Sequence, residues 1–88
     1  MITWDEGKRA SNLAKHGLDF AESVHFDFDA ALLDIDHRED YGECREIAIG
    51  WCGVRLCCLV FVRRGDDEIR VISFRKATKQ EVRRYADS

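Results

Sequence analysis

From Leu56 to Val62 the chain reads Leu-Cys-Cys-Leu-Val-Phe-Val, with no charged or strongly polar residue at any position. A strand with one wet face alternates apolar and polar side chains, because successive side chains point to opposite sides. A strand apolar on both faces needs cover on both, so Arg55 to Arg63 belongs at the centre of a sheet, with helix laid over one side. The joins around it are short: Cys52-Gly53 before and Arg64-Gly65-Asp66-Asp67 after. Joins of that length connect only antiparallel neighbours. Those neighbours are Arg45 to Trp51, with Ile47 and Ile49 on one face, and Ile69 to Arg75. Ala30 to Asp36 supplies a further strand, and the four make a meander.

Helices flank this sheet segment in the sequence. Ile2 to Trp4 reads as a short strand, and Asp5 then caps a helix whose Ala10, Leu13 and Ala14 recur at helical spacing. Gly17 ends it in the left-handed conformation, which leaves Lys15 and His16 in the last turn, where the helix dipole favours positive charge. A second helix starts at Asp19 and turns Phe20, Ala21 and Val24 inward. Near the end, Thr78 and Glu81 form a capping box for a last helix that carries Val82 and Tyr85 on one face. The expected fold is α+β: one domain over residues 1–88, an N-terminal helix pair and a C-terminal helix packed on an antiparallel sheet. Several strand orders remain open.

Net charge is −3, but its distribution is uneven. Residues 19–46 hold ten acids against Arg38 and Arg45, whereas residues 69–85 hold Arg70, Arg75, Lys76, Lys79, Arg83 and Arg84 against Glu81. A local basic cluster holds a phosphate backbone whatever the total charge, while the acidic part repels it or meets a basic partner. Cys44, Cys52, Cys57 and Cys58 lack the spacing of zinc or redox pairs, so no metal and no cofactor is expected, and Cys57 and Cys58 read as small buried hydrophobes on opposite faces. No apolar run is long enough to span a bilayer, and the first residues lack a signal core; the expectation is a cytoplasmic protein without a membrane partner.

No nucleophile elbow, P-loop, dinucleotide fingerprint or paired-histidine motif is present. The cationic and histidine side chains at strand and helix ends suit chemistry on a phosphodiester, whose charge rises in the transition state. Metal-free RNA cleavage needs a base for the 2′-hydroxyl, cations around phosphorus and an acid for the leaving 5′-oxygen. Because the nucleophile is the substrate's own 2′-hydroxyl, such an enzyme cuts RNA, spares DNA and leaves a 2′,3′-cyclic phosphate. Arg75 is the foremost cation, beside Lys76 and the amides that open the last helix. Arg45, Arg63 and Arg70 join it as phosphate binders from the sheet, with Lys79 and Arg83 from the last helix. Alternation sets Ser73 and Arg75 on one face with Val71, and Arg70 on the other, where a salt bridge to Glu43 or Glu68 is the competing role. His16 is the natural acid or base, with neutralisation of its helix end as the alternative, and Lys15 is a neighbouring phosphate binder. Glu43 and Tyr85 are further acid or base candidates; Glu43 otherwise pairs with an arginine, and Tyr85 otherwise packs its ring on the sheet.

Several short motifs recur in a recognisable order: Trp4-Asp5, Lys8, Asn12, Lys15-His16-Gly17, Phe20, Gly42-Glu43-x-Arg45, Gly50, Arg70, Ile72-Ser73, Arg75-Lys76-Ala77, Glu81 and Tyr85. In this they resemble the BrnT family of toxins. The resemblance implies a RelE-like fold and an endoribonuclease that blocks translation as the toxin of a type II toxin-antitoxin system. It also implies a BrnA-like ribbon-helix-helix antitoxin as partner, in a two-plus-two heterotetramer that reaches DNA only through the antitoxin. Two features depart from the family pattern: the overall acidity, and Phe74, where the family places a small residue and where an aromatic beside Arg75 would stack on a base or narrow the cleft. The competing function is a non-catalytic interaction module that docks a DNA-binding partner for transcriptional autoregulation.

Overall fold

The computed structural model describes residues 1–38 and 42–88. In chain order the elements are β1 (Ile2–Trp4), α1 (Glu6–His16), a 3-10 helix (Phe20–His25), β2 (Leu32–Ile35), β3 (Glu46–Cys52), β4 (Arg55–Arg64), β5 (Glu68–Lys76) and α2 (Lys79–Ala86). They build one five-stranded sheet in the order β1-β5-β4-β3-β2, so the strand that is apolar on both faces is the central one.

Strands β2 to β5 form the expected antiparallel meander. The sheet as a whole is mixed rather than antiparallel, because β1 lies parallel to β5 with Ile2 opposite Ile69 and Trp4 opposite Val71. Tight turns force antiparallel pairing only between successive strands, and the whole meander separates β1 from β5, so that constraint does not act on this pair. The expected second helix is instead a single 3-10 segment, capped by Asp19, whose carboxylate accepts from the Ala21 amide at 3.0 Å. It buries Phe20 completely, while Ala21 and Val24, expected to turn inward beside it, are exposed.

The two faces of the sheet have separate cores. Cys57, Leu59 and Phe61 of β4 pack with Ala48, Val71 and Phe74 beneath Leu18, Phe20 and Phe26. On the opposite face Leu56 packs with Ile49 and Ala77, with Leu32 and Tyr85 closing over them. Each large apolar side chain buried in this way contributes about 1.5–3 kcal/mol relative to exposure. Gly50 is required by close approach: a Cβ there would stand 2.9 Å from the Phe26 ring and 3.0 Å from Ala31 Cβ.

Helix α1 is fixed at both ends as its sequence indicates. The Asp5 carboxylate accepts from the Lys8 amide at 3.0 Å, and Gly17, at φ 73°, donates to the Leu13 carbonyl at 2.9 Å. What attaches α1 to the sheet is Asn12. Beyond Val71, β1 no longer covers the outer margin of β5, and the buried Asn12 amide takes its place at Phe74. It donates to the Phe74 carbonyl at 2.7 Å and accepts from the Phe74 amide at 3.1 Å, pairing as a neighbouring strand would. A second hydrogen from the same nitrogen goes to the Leu18 carbonyl at 3.0 Å, so the helix, its exit loop and the strand are locked together.

Candidate active site

One irregularity in β5 decides which side chains share a face. Val60 stands opposite Ser73, but Phe61 stands opposite Val71, so Ile72 is an extra residue in a β-bulge. Directly opposed residues project to the same side of a sheet. Ser73 and Arg75 therefore lie with Val60 and Cys58, Arg70 lies with Val62 on that same face, and Val71 joins Phe74 on the other. Simple alternation had divided these residues differently; the bulge inverts everything before it. Phe74, 1% exposed in the core, neither stacks on a ligand nor narrows the space beside Arg75.

On the Arg75 face a cleft of about 400 Å³ opens between the C-terminal turn of α1, the centre of the sheet and the start of α2. Lys15 and His16 line it from the helix, Ser73 and Arg75 from β5, Cys58 from β4 and Glu81 from α2. Arg38 reaches it from the loop after β2, with its guanidinium on Asp36 at 2.8 Å. Lys15, His16 and Arg75, three of the proposed catalytic residues, thus meet although about sixty residues separate His16 from Arg75.

Glu81 organises the cleft. Its carboxylate receives Arg75 Nη1 at 2.7 Å and Nη2 at 2.9 Å while also accepting from the Thr78 amide at 2.9 Å. Thr78 Oγ1 accepts in return from the Glu81 amide at 3.2 Å, which completes the capping box. One carboxylate therefore starts α2 and orients the arginine. Arg75 Nη1 also donates to the Lys76 carbonyl at 3.3 Å, which leaves Nε and the second Nη2 hydrogen without a partner among the described residues. Those two hydrogens form the lateral fork of the guanidinium, suited to two oxygens of one phosphate.

Charge states follow from these contacts. Arg75 and the helix-start amide hold the Glu81 carboxyl down at about 2, so it is fully ionised near neutrality. Burial, chiefly, pushes the Cys58 thiol up to about 11, which keeps it protonated and unreactive. His16 is shifted below its ordinary value, first by partial burial and then by Lys15 and Arg75. A helix C-terminus by itself favours imidazolium; here burial and the flanking cations act the other way and favour the neutral imidazole.

The other sequence candidates lie apart. Arg63 is on the opposite face of the sheet, its Nε 2.6 Å from Glu46 and its guanidinium 5.4 Å from the centre of the Phe61 ring. Arg70 shares the face of Arg75 but sits five residues along β5, outside the cleft lining. It has neither expected ion pair: Glu68 accepts from Thr3 Oγ1 at 2.6 Å and Glu43 from Arg45 at 3.4 Å. Glu43 and Arg45 precede β3, outside the cleft lining. Tyr85 packs its ring in the second core and donates to the Ala30 carbonyl at 3.1 Å. Lys76 borders an adjoining groove, and Lys79 and Arg83 are exposed on α2. Reasoning from sequence passed over Asn12 and Glu81 as site residues. The signal for Glu81 was present in its capping box, six residues beyond Arg75; for Asn12 there was none, because the spacing of Ala10, Leu13 and Ala14 turns the opposite side of α1 inward, whereas in the structure those three are exposed and Asn12 is buried.

Known proteins resemble this chain in sequence and in fold. Residues 4–81 match the family model described as the ribonuclease toxin, BrnT, of type II toxin-antitoxin systems. The crystal structure of the Brucella abortus ribonuclease toxin BrnT is similar over 89% of this chain and 96% of that one, at 36% identity and a TM-score of 0.67. No curated protein sequence matches the chain. With the family model covering most of its length and the matched toxin sharing over a third of its residues, this chain belongs to the BrnT family of ribonuclease toxins.

Proposed function

We propose that the chain is a metal-independent endoribonuclease in which His16 and Arg75 perform the chemistry. The observation that carries this reading is the meeting of an imidazole biased towards its neutral form, an oriented guanidinium with a free lateral fork and the Lys15 ammonium in one cleft. His16 removes the 2′-hydroxyl proton, the 2′-oxygen attacks phosphorus, and Arg75 and Lys15 balance the charge that grows on the phosphoryl oxygens. Lys15 supplies the proton for the departing 5′-oxygen, and the product keeps a 2′,3′-cyclic phosphate. Side-chain cations here do what a divalent ion does in metal-assisted hydrolysis. Lys76, Lys79 and Arg83 add phosphate attraction beside the cleft, and Arg70 extends it along the same face. Glu43, Arg45 and Tyr85 hold structure instead.

The same reading gives the protein a RelE-like fold and a cytoplasmic role in arresting translation by cutting RNA. A BrnA-like antitoxin neutralises it in a two-plus-two heterotetramer, and the complex meets DNA through the antitoxin alone. The direct test is labelled RNA incubated with partner-free protein in chelator, with and without ribosomes. Fragments ending in 2′,3′-cyclic phosphate are expected, and RNA left intact by folded protein in both conditions overturns the assignment. A second reading, a non-catalytic module that docks a DNA-binding partner, draws on the edge strand β2, whose Leu33 and Ile35 are exposed. It is the reading that intact RNA would favour.

A further inference from the structure

Three grooves meet at His16. One is the cleft already described. A second, of about 290 Å³, runs between α1 and the free stretch of β5, with Lys8, Ser11 and Lys15 on one wall and Ile72 and Ser73 on the other. The third, of about 310 Å³, is bordered by His16, Leu18, Arg55 and Lys76. Their order is fixed by the elements that line them. Along β5 the sequence is Ile72 and Ser73, then Ser73 and Arg75, then Lys76; along α1 and its exit it is Lys8 to Lys15, then Lys15 and His16, then His16 and Leu18. Both elements count off the grooves in the same direction. The result is a seam that follows the free margin of β5 with the cleft in the middle and passes round that margin to the Cys57 face at Lys76, about 13 Å from Ile72 at the rise of a strand.

The seam exists because β1 stops at Trp4, opposite Val71, and Asn12 closes only the position of Phe74, with the bulged Ile72 between them. On either side of the cleft its charge is of one sign. Lys8, Lys15, Arg55 and Lys76 make no ion pair with a described residue, and no carboxylate among the described residues lines either flanking groove. Lys8 and Lys15 stand two turns apart on α1, about 10.5 Å, a spacing from which their side chains reach neighbouring phosphates of one stretched strand.

We propose that this seam is a track for single-stranded RNA, with a phosphate subsite on each side of the scissile phosphate: Lys8 and Ser11 at one end, Arg55 and Lys76 at the other. The assignment of the middle site rests on the ribonuclease reading above. Ammonium, guanidinium and hydroxyl groups hold phosphates without reading base edges, so the track supplies affinity and register with little sequence preference.

The test uses uncleavable 2′-O-methyl oligonucleotides of two and six nucleotides, titrated against the whole protein by fluorescence anisotropy over a range of salt. The hexamer should bind more tightly than the dimer. Lys8→Ala and Arg55→Ala should each weaken hexamer binding by about three- to tenfold, lower the salt slope by about 0.7 and leave dimer binding unchanged. Arg84→Ala, whose arginine pairs with Asp34 at 2.6 Å, is the control that should change neither. The track is overturned if the hexamer gains nothing over the dimer, or if Lys8 and Arg55 variants bind it as the parent does. The all-ribo hexamer, with and without ribosomes, separates the two claims: bound with this dependence yet cut in neither condition, it supports the track and refutes the ribonuclease reading.

Discussion

Along the β2–β3 margin of the sheet nearly every arginine is matched to a carboxylate: Arg38 to Asp36, Arg45 to Glu43, Arg63 to Glu46 and Arg84 to Asp34. Along the α1–β5 margin Lys8, Lys15 and Lys76 stand without such partners among the described residues, whereas Arg9 is engaged by Glu6 and Asp19 and Arg75 by Glu81. The formal charge of −3 is the sum of these two unlike margins and describes neither. An anion approaching the molecule meets compensated charge on one side and available cations on the other, and local field rather than net charge governs binding.

Arg75 belongs to the open margin yet carries a carboxylate partner, and its loss should have the largest effect of any single change. Arg75→Ala should lower the rate of RNA cleavage by about 10²–10³, the usual cost of removing one preorganised group that meets developing charge. Cleavage rates measured beside a melting curve separate this from unfolding. A folded variant that cuts at the parental rate would remove the distinction between the margins as far as chemistry is concerned.

The next effect concerns pH. His16 acts as a base only when neutral, and since its value is held below the ordinary histidine range, the acid limb of the kcat/KM profile should lie below the midpoint of a free imidazole. Lys15→Gln removes one of the two charges that depress it, so that limb should move to higher pH while the maximum rate falls. A limb that stays in place in Lys15→Gln would mean that the open margin does not tune its own base.

Much of this arrangement was legible beforehand. The central strand, the Asp5 and Gly17 caps of α1, and the capping box of α2 each follow from a few neighbouring residues, and local rules act at that range. The parallel β1–β5 pair depends on contacts across most of the chain, beyond such rules. The bulge at Ile72 has no signature in an apolar run, and it alone misplaces Arg70 relative to Arg75. Lys15, His16 and Arg75 were recognisable as a set by residue type and family resemblance. That Glu81 would hold Arg75 and that Asn12 would replace a strand at Phe74 required the tertiary structure, because each side chain finds its partner only once the helices have docked.

Glu81→Gln sharpens the comparison by removing a charge while keeping a side chain able to complete the capping box. The Glu81–Arg75 pair is mostly shielded from solvent, and its loss should cost about 1–3 kcal/mol of stability at pH 7 in urea unfolding. The folded carboxyl titrates at about 2, below the 4.5 of an unperturbed glutamate. Its contribution is therefore complete above about pH 4.5 and fades as the pH falls towards 2, so the stability gap between parent and variant should close over that window. A gap independent of pH would assign the loss to packing rather than to the ion pair.

The smallest effect is expected on the compensated margin. Arg63 is half-exposed, its partner Glu46 largely shielded, and its guanidinium lies over Phe61 on the face away from the cleft. Arg63→Ala should cost about 0.5–1 kcal/mol of stability, the worth of a surface pair with an exposed cation–π contact. Cleavage by the variant should stay within about twofold of the parent, because the substitution removes a charge that Glu46 already balances. The opposite outcome, a Lys8→Ala variant with normal RNA affinity and an Arg63→Ala variant with a clear loss, would mean that RNA crosses the paired face. Carboxylates would then have to yield their arginines to phosphate, which would carry the cost of leaving Glu46 unpaired beside the incoming anion.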